Sequence, residues 1–400
     1  MEAKEAEQIP STSAHPTLHF ICMRHFLSYL LFLLMVVNQT IQAKQFSLFI
    51  GTSGQSADGI YHAYFQTNSG RFEKVRRVVE VDSPNFLSKH PNHQFIYAVC
   101  KWKQEQGVIG YKITNENDLV EFTRMACPDG LGCHISVHPS GKFLLTTQYR
   151  GGSVALFPLS SSGELLKPVI YRHQGGSGVI RTRQSSPHPH WCGFSPCGNF
   201  ALIPDLGLDQ IVIYRVNAET PSIQPHGFAK TVPGGGPRHM RFSQDQDWIY
   251  LLNELDLSIS IFKWDHSAGE AIFHSWVDTL KEEQKAQESF NSAAEILVHP
   301  KGNWVYSSNR GHDSVTVFTS NNSGSLEAIQ TQPIRGAFPR NINLTPCGTW
   351  LLAAGQDSST VSGHRIHAGT GKLTYQRGSI AQVPNPVCLV FSSGQKNLKK

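Results

Sequence analysis

Residues 132–159 read GCHISVHPSGKFLLTTQYRGGSVALFPL, and this stretch decides the fold. A short apolar strand at 133–137 leads into a Pro-Ser-Gly turn, and a second strand at 142–148 returns antiparallel to the first. A further turn at 150–152 precedes SVALFPL, which predicts a third strand, and Ser-Gly-Glu-Leu opens a fourth. The stretch therefore predicts a small antiparallel sheet built from four consecutive strands.

The turn of this unit recurs along the chain as His-Pro-x-Gly-x-(Phe/Trp) or a close variant, each time followed by a hydrophobic strand. The six copies begin at His90, His138, Ser195, Ser243, His299 and Thr345. Successive copies start 46 to 57 residues apart. Tandem units of about 40–50 residues made of short strands are typical of a β-propeller, in which each unit forms one blade.

The two ends of the repeat array complement each other. FSLFIGT from Phe46 and GIYHAYFQ from Gly59 are a second and a third strand without a first, whereas PNPVCLVFSS from Pro384 is a first strand without a second. Joining them completes a seventh blade and leaves no open edge in the ring. We therefore predict an all-β, seven-bladed β-propeller of four-stranded antiparallel blades over residues 44–393, with a polar tail at 394–400.

The first 43 residues differ from the repeats. A polar lead runs from Met1 to His25 and includes the basic residue Arg24. A run of twelve mostly apolar residues follows at 26–37, and Gln42-Ala43 offers a small residue for cleavage. The run is shorter than the roughly 20 residues that span a bilayer, and its layout is that of a secretory signal, with Met23 as an alternative start. We predict a secreted protein with no stable membrane insertion after processing. An uncleaved anchor, or an upstream extension of a cytosolic protein, remains the alternative.

Composition restricts the partners. The formal net charge is +5, and the chain has no run of Lys and Arg that would indicate nucleic acid. The mild positive charge suits a small anionic ligand, and we predict a monomer.

Two stretches fall outside the repeat, a Gly/Ser/Arg-rich loop at 172–187 and a charged, mildly helical segment at 281–292. Either insertion is a candidate for part of a lid.

Two sets of polar residues should meet at one mouth of the central channel, because the start of the first strand and the end of the second strand lie at the same end of a blade. We interpret these residues as a ligand site. The candidates are His134, Tyr149, His190, Asp205, Arg238, His239, Glu254, Glu295, Arg310, Arg340 and Gln356.

The chemistry of this set indicates an anion. Several arginines suit a carboxylate or phosphate through charge-assisted hydrogen bonds, and a histidine beside a carboxylate suits general acid–base catalysis. We predict no metal, although His188-Pro189-His190 places two histidines on one side of an extended segment. No cofactor is predicted, because neither a Walker loop nor a GxGxxG motif is present.

The sequence also resembles the propeller family of 6-phosphogluconolactonases, which includes the carboxymuconate-lactonizing enzymes. The carrying motifs are PHPHW at 187–191, GGGPRHMRF at 234–242, NEL at 253–255, SSNRGHDS at 307–314 and VPNPVCLVF at 383–391. The resemblance implies a seven-bladed propeller that acts on a lactone or its open acid. It also implies that the catalytic residues are His190, Arg238, Glu254 and Arg310.

Three functions follow from these observations. The first is metal-independent hydrolysis of 6-phosphogluconolactone, a reaction of the pentose phosphate pathway, or of a related sugar-acid lactone. In it the arginines bind the anion and stabilise the oxyanion, and either Glu254 or His190 is the general base. The second is a lactonizing cycloisomerase acting on an unsaturated dicarboxylate. The third is a secreted propeller that binds an acidic ligand without catalysis.

Overall fold

The computed structural model of the protein describes residues 44–392. These residues form seven four-stranded antiparallel sheets, arranged as the blades of a propeller, with 28 strands and one short helix. The prediction of an all-β, seven-bladed propeller is confirmed. The apolar run at 26–37 and the tail at 394–400 lie outside the described residues. No helix within residues 44–392 has the length and hydrophobicity needed to cross a membrane.

The strands follow one another from the channel outwards in each blade. Blade 1 combines the last strand of the chain with the first three: β28 (Pro386–Phe391), β1 (Gln45–Thr52), β2 (Gly59–Gln66) and β3 (Arg71–Glu80). Blade 2 comprises β4 (Asp82–Lys89), β5 (Phe95–Trp102), β6 (Glu105–Ile113) and β7 (Leu119–Ala126). Blade 3 comprises β8 (His134–Val137), β9 (Phe143–Gln148), β10 (Ser153–Pro158) and β11 (Val169–Arg172). Blade 4 comprises β12 (Gly193–Phe194), β13 (Phe200–Asp205), β14 (Gln210–Asn217) and β15 (Ser222–Lys230). Blade 5 comprises β16 (Pro237–Phe242), β17 (Trp248–Asn253), β18 (Ser258–Asp265) and β19 (Glu270–Asp278). Blade 6 comprises β20 (Ser292–Val298), β21 (Trp304–Arg310), β22 (Ser314–Ser320) and β23 (Leu326–Pro333). Blade 7 comprises β24 (Pro339–Leu344), β25 (Trp350–Gly355), β26 (Thr360–Ile366) and β27 (Leu373–Gln382).

Both chain ends close the ring in blade 1. β28 is the inner strand and pairs antiparallel with β1, Ile50 lying opposite Leu389. The Asn343 amide of blade 7 donates to the Leu389 carbonyl over 2.6 Å. Blade 1 is thereby bonded to its neighbour as well as within itself, which confirms that the N- and C-terminal strands share a blade.

The hydrophobic core lies between adjacent blades. One cluster joins blades 7 and 1, where Trp350 packs against Phe65 with ring centroids 5.3 Å apart. The same tryptophan lies against Gly70 of blade 1, where an added Cβ would come within 2.3 Å of its ring. Gly70 has a φ of +70°, so the turn as well as the close packing favours glycine. The aromatic position of the repeat therefore packs one blade onto the next.

The histidine that opens the repeat also joins neighbouring blades. His138 Nε2 donates to the Gly198 carbonyl in the turn of blade 4 over 3.0 Å, and its Nδ1 accepts the Ser140 N–H over 3.1 Å. His90 and His299 make the equivalent two contacts, each with its Nε2 on the glycine carbonyl of the following blade. We call the end of the propeller that carries these contacts the turn face.

The insertion at 281–292 contains the single described helix, α1 (Glu282–Lys285). The insertion at 172–187 follows β11 and is an irregular loop. Of the two insertions, only the loop at 172–187 contributes a side chain to the cavity described below.

Candidate active site

A cavity of about 890 Å³ opens at the mouth of the channel, at the end opposite the turn face. It is lined by residues from the two predicted sets of polar residues and from neighbouring loops. Eight of the predicted residues line this cavity. They are Tyr149, His190, Arg238, His239, Glu254, Arg310, Arg340 and Gln356. The strand geometry inferred from the repeat therefore brings most of the candidates to one place.

β-Bulges orient the inner-strand residues of this site. In a regular strand, successive side chains point to opposite faces. Arg238 lies between two registered pairs, Pro237 with Asn253 and His239 with Leu252, so it is the extra residue of a bulge. Arg340 occupies the same position in blade 7. The bulge in blade 5 allows Arg238 and His239, which are adjacent in sequence, both to line the cavity.

Glu254 organises the arginines of the mouth. Its Oε2 lies 2.9 Å from Arg238 Nε and 3.2 Å from Arg310 Nη2, and its Oε1 lies 2.8 Å from Arg183 Nη2. Arg238 and Arg310 also donate to the backbone carbonyls of Ala294 and Ala293, respectively. Both carboxylate oxygens are therefore occupied by guanidinium groups, and these groups are held in fixed orientations.

The charges around Glu254 determine its ionisation. Burial alone would raise the pKa of the Glu254 carboxyl, but Arg310 and Arg238 hold that pKa well below its usual range. Burial, followed by the charge of Arg238, places the pKa of His190 well below its ordinary value. At neutral pH Glu254 is thus a carboxylate and His190 a neutral imidazole. His190 Nε2 lies 3.8 Å from Glu254 Oε2, beyond direct hydrogen-bond distance.

A second buried glutamate lies on β20, beside the cavity lining. Glu295 is 1% exposed, and its Oε1 lies 3.0 Å from His239 Nδ1 and 3.0 Å from Arg241 Nη2. Its Oε2 accepts the Asn341 amide over 2.7 Å. Glu295 itself does not line the cavity and reaches it through His239.

Two predicted residues have other surroundings. Asp205 is fully buried and accepts the backbone N–H groups of His188, Gly207 and Leu208 and the His173 ring, so it fixes the loop before His190. His134 is not among the cavity-lining residues. Its ring lies 4.2 Å from Phe86 by ring centroids, and its Nδ1 accepts the Cys192 N–H over 3.3 Å.

Arg183 is a site residue that the strand pattern did not identify. It belongs to the insertion at 172–187 and bridges Glu254 and the Tyr149 hydroxyl, at 2.8 and 3.1 Å. The available signal was the run Arg181-Thr182-Arg183 in a segment already suspected of covering the mouth. Because the insertion has no counterpart in the other blades, repeat alignment could not place it.

Histidines 188 and 190 do not form a metal pair. His188 Nδ1 donates to the Tyr149 carbonyl over 2.8 Å, and its ring stacks on Tyr149 with centroids 4.5 Å apart. Across residues 44–392, no group of three or more His, Cys, Asp or Glu side chains is arranged to hold a metal ion. All seven cysteines of these residues are free thiols.

The fold and the site define a propeller enzyme whose cavity combines clustered arginines, an ionised carboxylate and neutral histidines. This combination suits attack of water on an ester bond, because the arginines can stabilise an oxyanion and a neutral histidine can accept a proton. The chain belongs to the lactonase family of 7-bladed β-propellers, whose family model matches residues 47–391. It is a lactone hydrolase of the 6-phosphogluconolactonase-like class.

Relatives of known name cover nearly the whole propeller. A 6-phosphogluconolactonase of Bacillus subtilis (strain 168) is 29% identical over 86% of this chain and 97% of its own length. A 6-phosphogluconolactonase of Formosa agariphila is 32% identical over 82% of this chain and 94% of its own length. Among solved structures, the periplasmic gluconolactonase PpgL of Pseudomonas aeruginosa is 25% identical, covers 87% of this chain and 99% of its own, and superposes with a TM-score of 0.78.

Proposed function

We propose that this enzyme hydrolyses the lactone of a phosphorylated sugar acid, with 6-phosphogluconolactone as its substrate. The observation that carries the proposal is the charge of the cavity. Among the described residues, 44–392, its lining includes six cationic side chains, namely Lys101, Arg150, Arg183, Arg238, Arg310 and Arg340, and two carboxylates, Asp129 and Glu254. Asp129 is paired with Arg172 outside the lining, and Glu254 is shared by three arginines.

Arg340 is the clearest candidate for contact with the phosphate. Within residues 44–392 its guanidinium makes no hydrogen bond and has no carboxylate at ion-pair distance. Burial lowers its pKa to about 10, so it remains a cation at neutral pH. Arg340 is half-buried at the mouth. A partly desolvated cation without a partner is costly, and a bound dianion would remove that cost through a bidentate contact.

The remaining groups divide the chemistry among them. Arg238 and Arg310 are held by Glu254 beside the cavity, where a guanidinium stabilises the oxyanion that forms on the lactone carbonyl. Since both oxygens of Glu254 are engaged, its role in this proposal is to position the arginines. Proton transfer then falls to a neutral histidine of the cavity, of which His190 is the one beside Glu254. No metal is required for these steps.

We also propose where the enzyme acts and how its N-terminal segment is processed. The segment before Lys44 has the layout of a secretory signal, and the Pseudomonas aeruginosa relative is named as periplasmic. We propose that residues 1–43 are removed and that the propeller, residues 44–393, acts as a monomer in the secretory pathway or outside the cell. With 6-phosphogluconolactone, the reaction is the lactone-opening step of the pentose phosphate pathway. N-terminal sequencing of the protein from its native source tests the processing, and an intact Met1 or Met23 would contradict it.

Substrate choice is tested by comparing two lactones that differ only in the phosphate. The full chain is assayed with freshly prepared 6-phosphogluconolactone and with gluconolactone, both in chelator-treated buffer, and the open acid is identified as the product. We expect a kcat/KM at least tenfold higher for the phosphorylated lactone. Equal values, or a preference for gluconolactone, would overturn the proposed substrate, and formation of a lactone from the open acid of an unsaturated dicarboxylate would favour the cycloisomerase.

A further inference from the structure

A second histidine–carboxylate pair lies at the cavity wall, with only its histidine in the lining, and it has better hydrogen-bond geometry than the pair of His190 and Glu254. His239 and Glu295 lie on neighbouring inner strands, β16 and β20, with Nδ1 and Oε1 3.0 Å apart. Both side chains are almost completely buried, at 2% and 1% exposure. The pair therefore lies in an environment that excludes most water, where a hydrogen bond to a charged group is strong.

The surroundings of Glu295 determine which nitrogen of His239 carries the proton. Arg241 Nη2 and the Ile296 N–H donate to Oε1, at 3.0 and 3.1 Å, and Asn341 donates to Oε2 at 2.7 Å. All three of these groups are donors, so both oxygens of Glu295 act as hydrogen-bond acceptors. His239 must consequently carry its hydrogen on Nδ1, which leaves the lone pair on Nε2.

The other edge of the His239 ring is available to a ligand. His239 lines the cavity, and within residues 44–392 its Nε2 makes no hydrogen bond. Its ring packs edge-to-face against His190 and His134, with centroids 5.5 and 5.4 Å apart. These contacts fix the ring plane without using Nε2.

His190 lacks this arrangement. Its Nε2 is 3.8 Å from a Glu254 oxygen that already accepts a hydrogen bond from Arg238 and forms an ion pair with Arg310, and its Nδ1 has the Cys133 thiol at 3.9 Å. Neither contact fixes the proton on one nitrogen as firmly as the carboxylate of Glu295 does for His239. Of the two cavity histidines, His239 is therefore the one oriented as a general base.

We propose that His239 is the catalytic general base of lactone hydrolysis and that Glu295 is the residue that positions it. His239 Nε2 takes a proton from water while the water oxygen bonds to the lactone carbonyl carbon and the carbonyl electron pair moves to its oxygen. Glu295 stabilises the imidazolium that results. When the oxyanion collapses, the bond from the carbonyl carbon to the ring oxygen breaks, and that oxygen takes the proton back from Nε2. The product is the open hydroxy acid.

The charged groups around His239 keep it neutral at rest. Burial is the largest cause of its lowered pKa, followed by the charges of Arg238, Arg241, Arg340 and Arg310. His134 and His190, whose rings pack against the His239 ring, are themselves neutral because burial lowers their pKa values. Glu295 is the acidic group in direct contact with the ring. The base form is therefore present throughout the neutral range, and kcat should decline only in acid.

Substitution of His239 with rescue by a small base is the first test. We expect His239→Ala to lower kcat by about 10²–10⁴-fold with KM changed only a few-fold, and imidazole in the buffer to restore part of the rate in proportion to its unprotonated fraction. His138→Ala, on the turn face, is the matched control, and imidazole should not accelerate it. Wild-type kcat in His239→Ala, or rescue of His190→Ala instead of His239→Ala, would overturn the assignment.

The positioning role is tested by Glu295→Gln. The amide keeps a hydrogen-bond acceptor for His239 but removes the negative charge, so the pKa of His239 should fall. We expect a lower kcat plateau and an acid limb shifted to lower pH, with KM little changed. A role limited to folding would change the melting temperature and leave the pH profile of the folded fraction in place, which would contradict the proposal.

A measurement on the unaltered enzyme covers the case in which a variant fails to fold. ¹⁵N NMR of histidine-labelled wild-type protein, assigned with a conservative His239→Asn variant or by its pH titration, should show His239 with the hydrogen on Nδ1. The Nε2–H tautomer would overturn the proposal. These tests need only a lactone that the enzyme hydrolyses, so they are independent of the phosphate preference, which the comparison of the two lactones tests separately.

Discussion

The two ends of the propeller channel differ in how their residues relate to the repeat. On the turn face, blades 2, 3 and 6 each use the same histidine for the same two contacts, with Nε2 on the glycine carbonyl of the next blade. At the mouth, equivalent positions carry different residues in each blade, such as Arg238 and Arg340 on inner strands and Glu254 and Gln356 after second strands. The turn face is repeated because every blade must join its neighbour, whereas the mouth varies because each residue has its own task.

The largest effect should come from opening the ring. A chain that ends at Asn385 lacks β28 and leaves β1 without its inner partner, and it also loses the contact between Asn343 and Leu389. We expect loss of cooperative unfolding or of soluble protein, measured by circular dichroism and calorimetry. A chain that ends at Ser392 keeps β28 and serves as the control. An unchanged melting temperature in the shorter chain would contradict closure through blade 1.

Substitution on the turn face should reduce stability and leave catalysis intact. His138→Ala removes the hydrogen bonds to the Gly198 carbonyl and the Ser140 N–H. We expect a loss of about 1–3 kcal/mol in the free energy of unfolding, measured with denaturant, at unchanged kcat/KM. The exposed His367→Ala is the control for loss of a histidine. A catalytic defect in His138→Ala would show that the two ends are not separable.

The insertion should have a smaller effect, confined to the mouth. Arg183 is 37% exposed and is one of three guanidinium partners of Glu254. Glu254 keeps two other guanidinium partners when Arg183 is lost, and an ion pair with one solvent-exposed member contributes about 0–1 kcal/mol. Arg183→Gln should therefore change KM by up to about fivefold and leave the melting temperature in place. Arg181→Gln in the same loop, which does not line the cavity, is the control. A much larger loss of kcat would place Arg183 among the catalytic groups.

Acid should produce the smallest effect, at the turn face. Burial lowers the pKa of His138 and of His299, although the glycine carbonyls that accept their hydrogen bonds partly oppose this. The unfolded chain then binds more protons than the folded one, so the stability is fully present above about pH 6.5 and is lost as the pH falls towards the lower folded pKa. The melting temperature should decline between about pH 6.5 and 5, less steeply in His138→Gln. Parallel profiles in the two proteins would contradict this.

The sequence allowed accurate prediction of what the repeat imposes. The blade number, the split blade and the convergence of His190, Arg238, Glu254 and Arg310 all follow from strand order and from strands that run antiparallel. The depth of each residue could not be predicted in this way. The repeat pattern assigns Glu254 and Glu295 to the same mouth, yet bulges and neighbouring side chains place Glu295 against His239 and Glu254 among arginines. The role of Asp205 could not be predicted from the repeat either, because its carboxylate accepts hydrogen bonds from backbone N–H groups of the loops instead of lining the cavity.

The central claim is that unpaired cations at the mouth select a phosphorylated lactone, and Arg340 tests it most directly. The measurement is the ratio of kcat/KM for 6-phosphogluconolactone to kcat/KM for gluconolactone, in the wild type and in Arg340→Met. Because a hydrogen bond to a charged group contributes about 1.5–3 kcal/mol, we expect the ratio to fall by about 10- to 150-fold, with gluconolactone turnover and the melting temperature maintained. An unchanged ratio in a folded Arg340→Met would contradict the account.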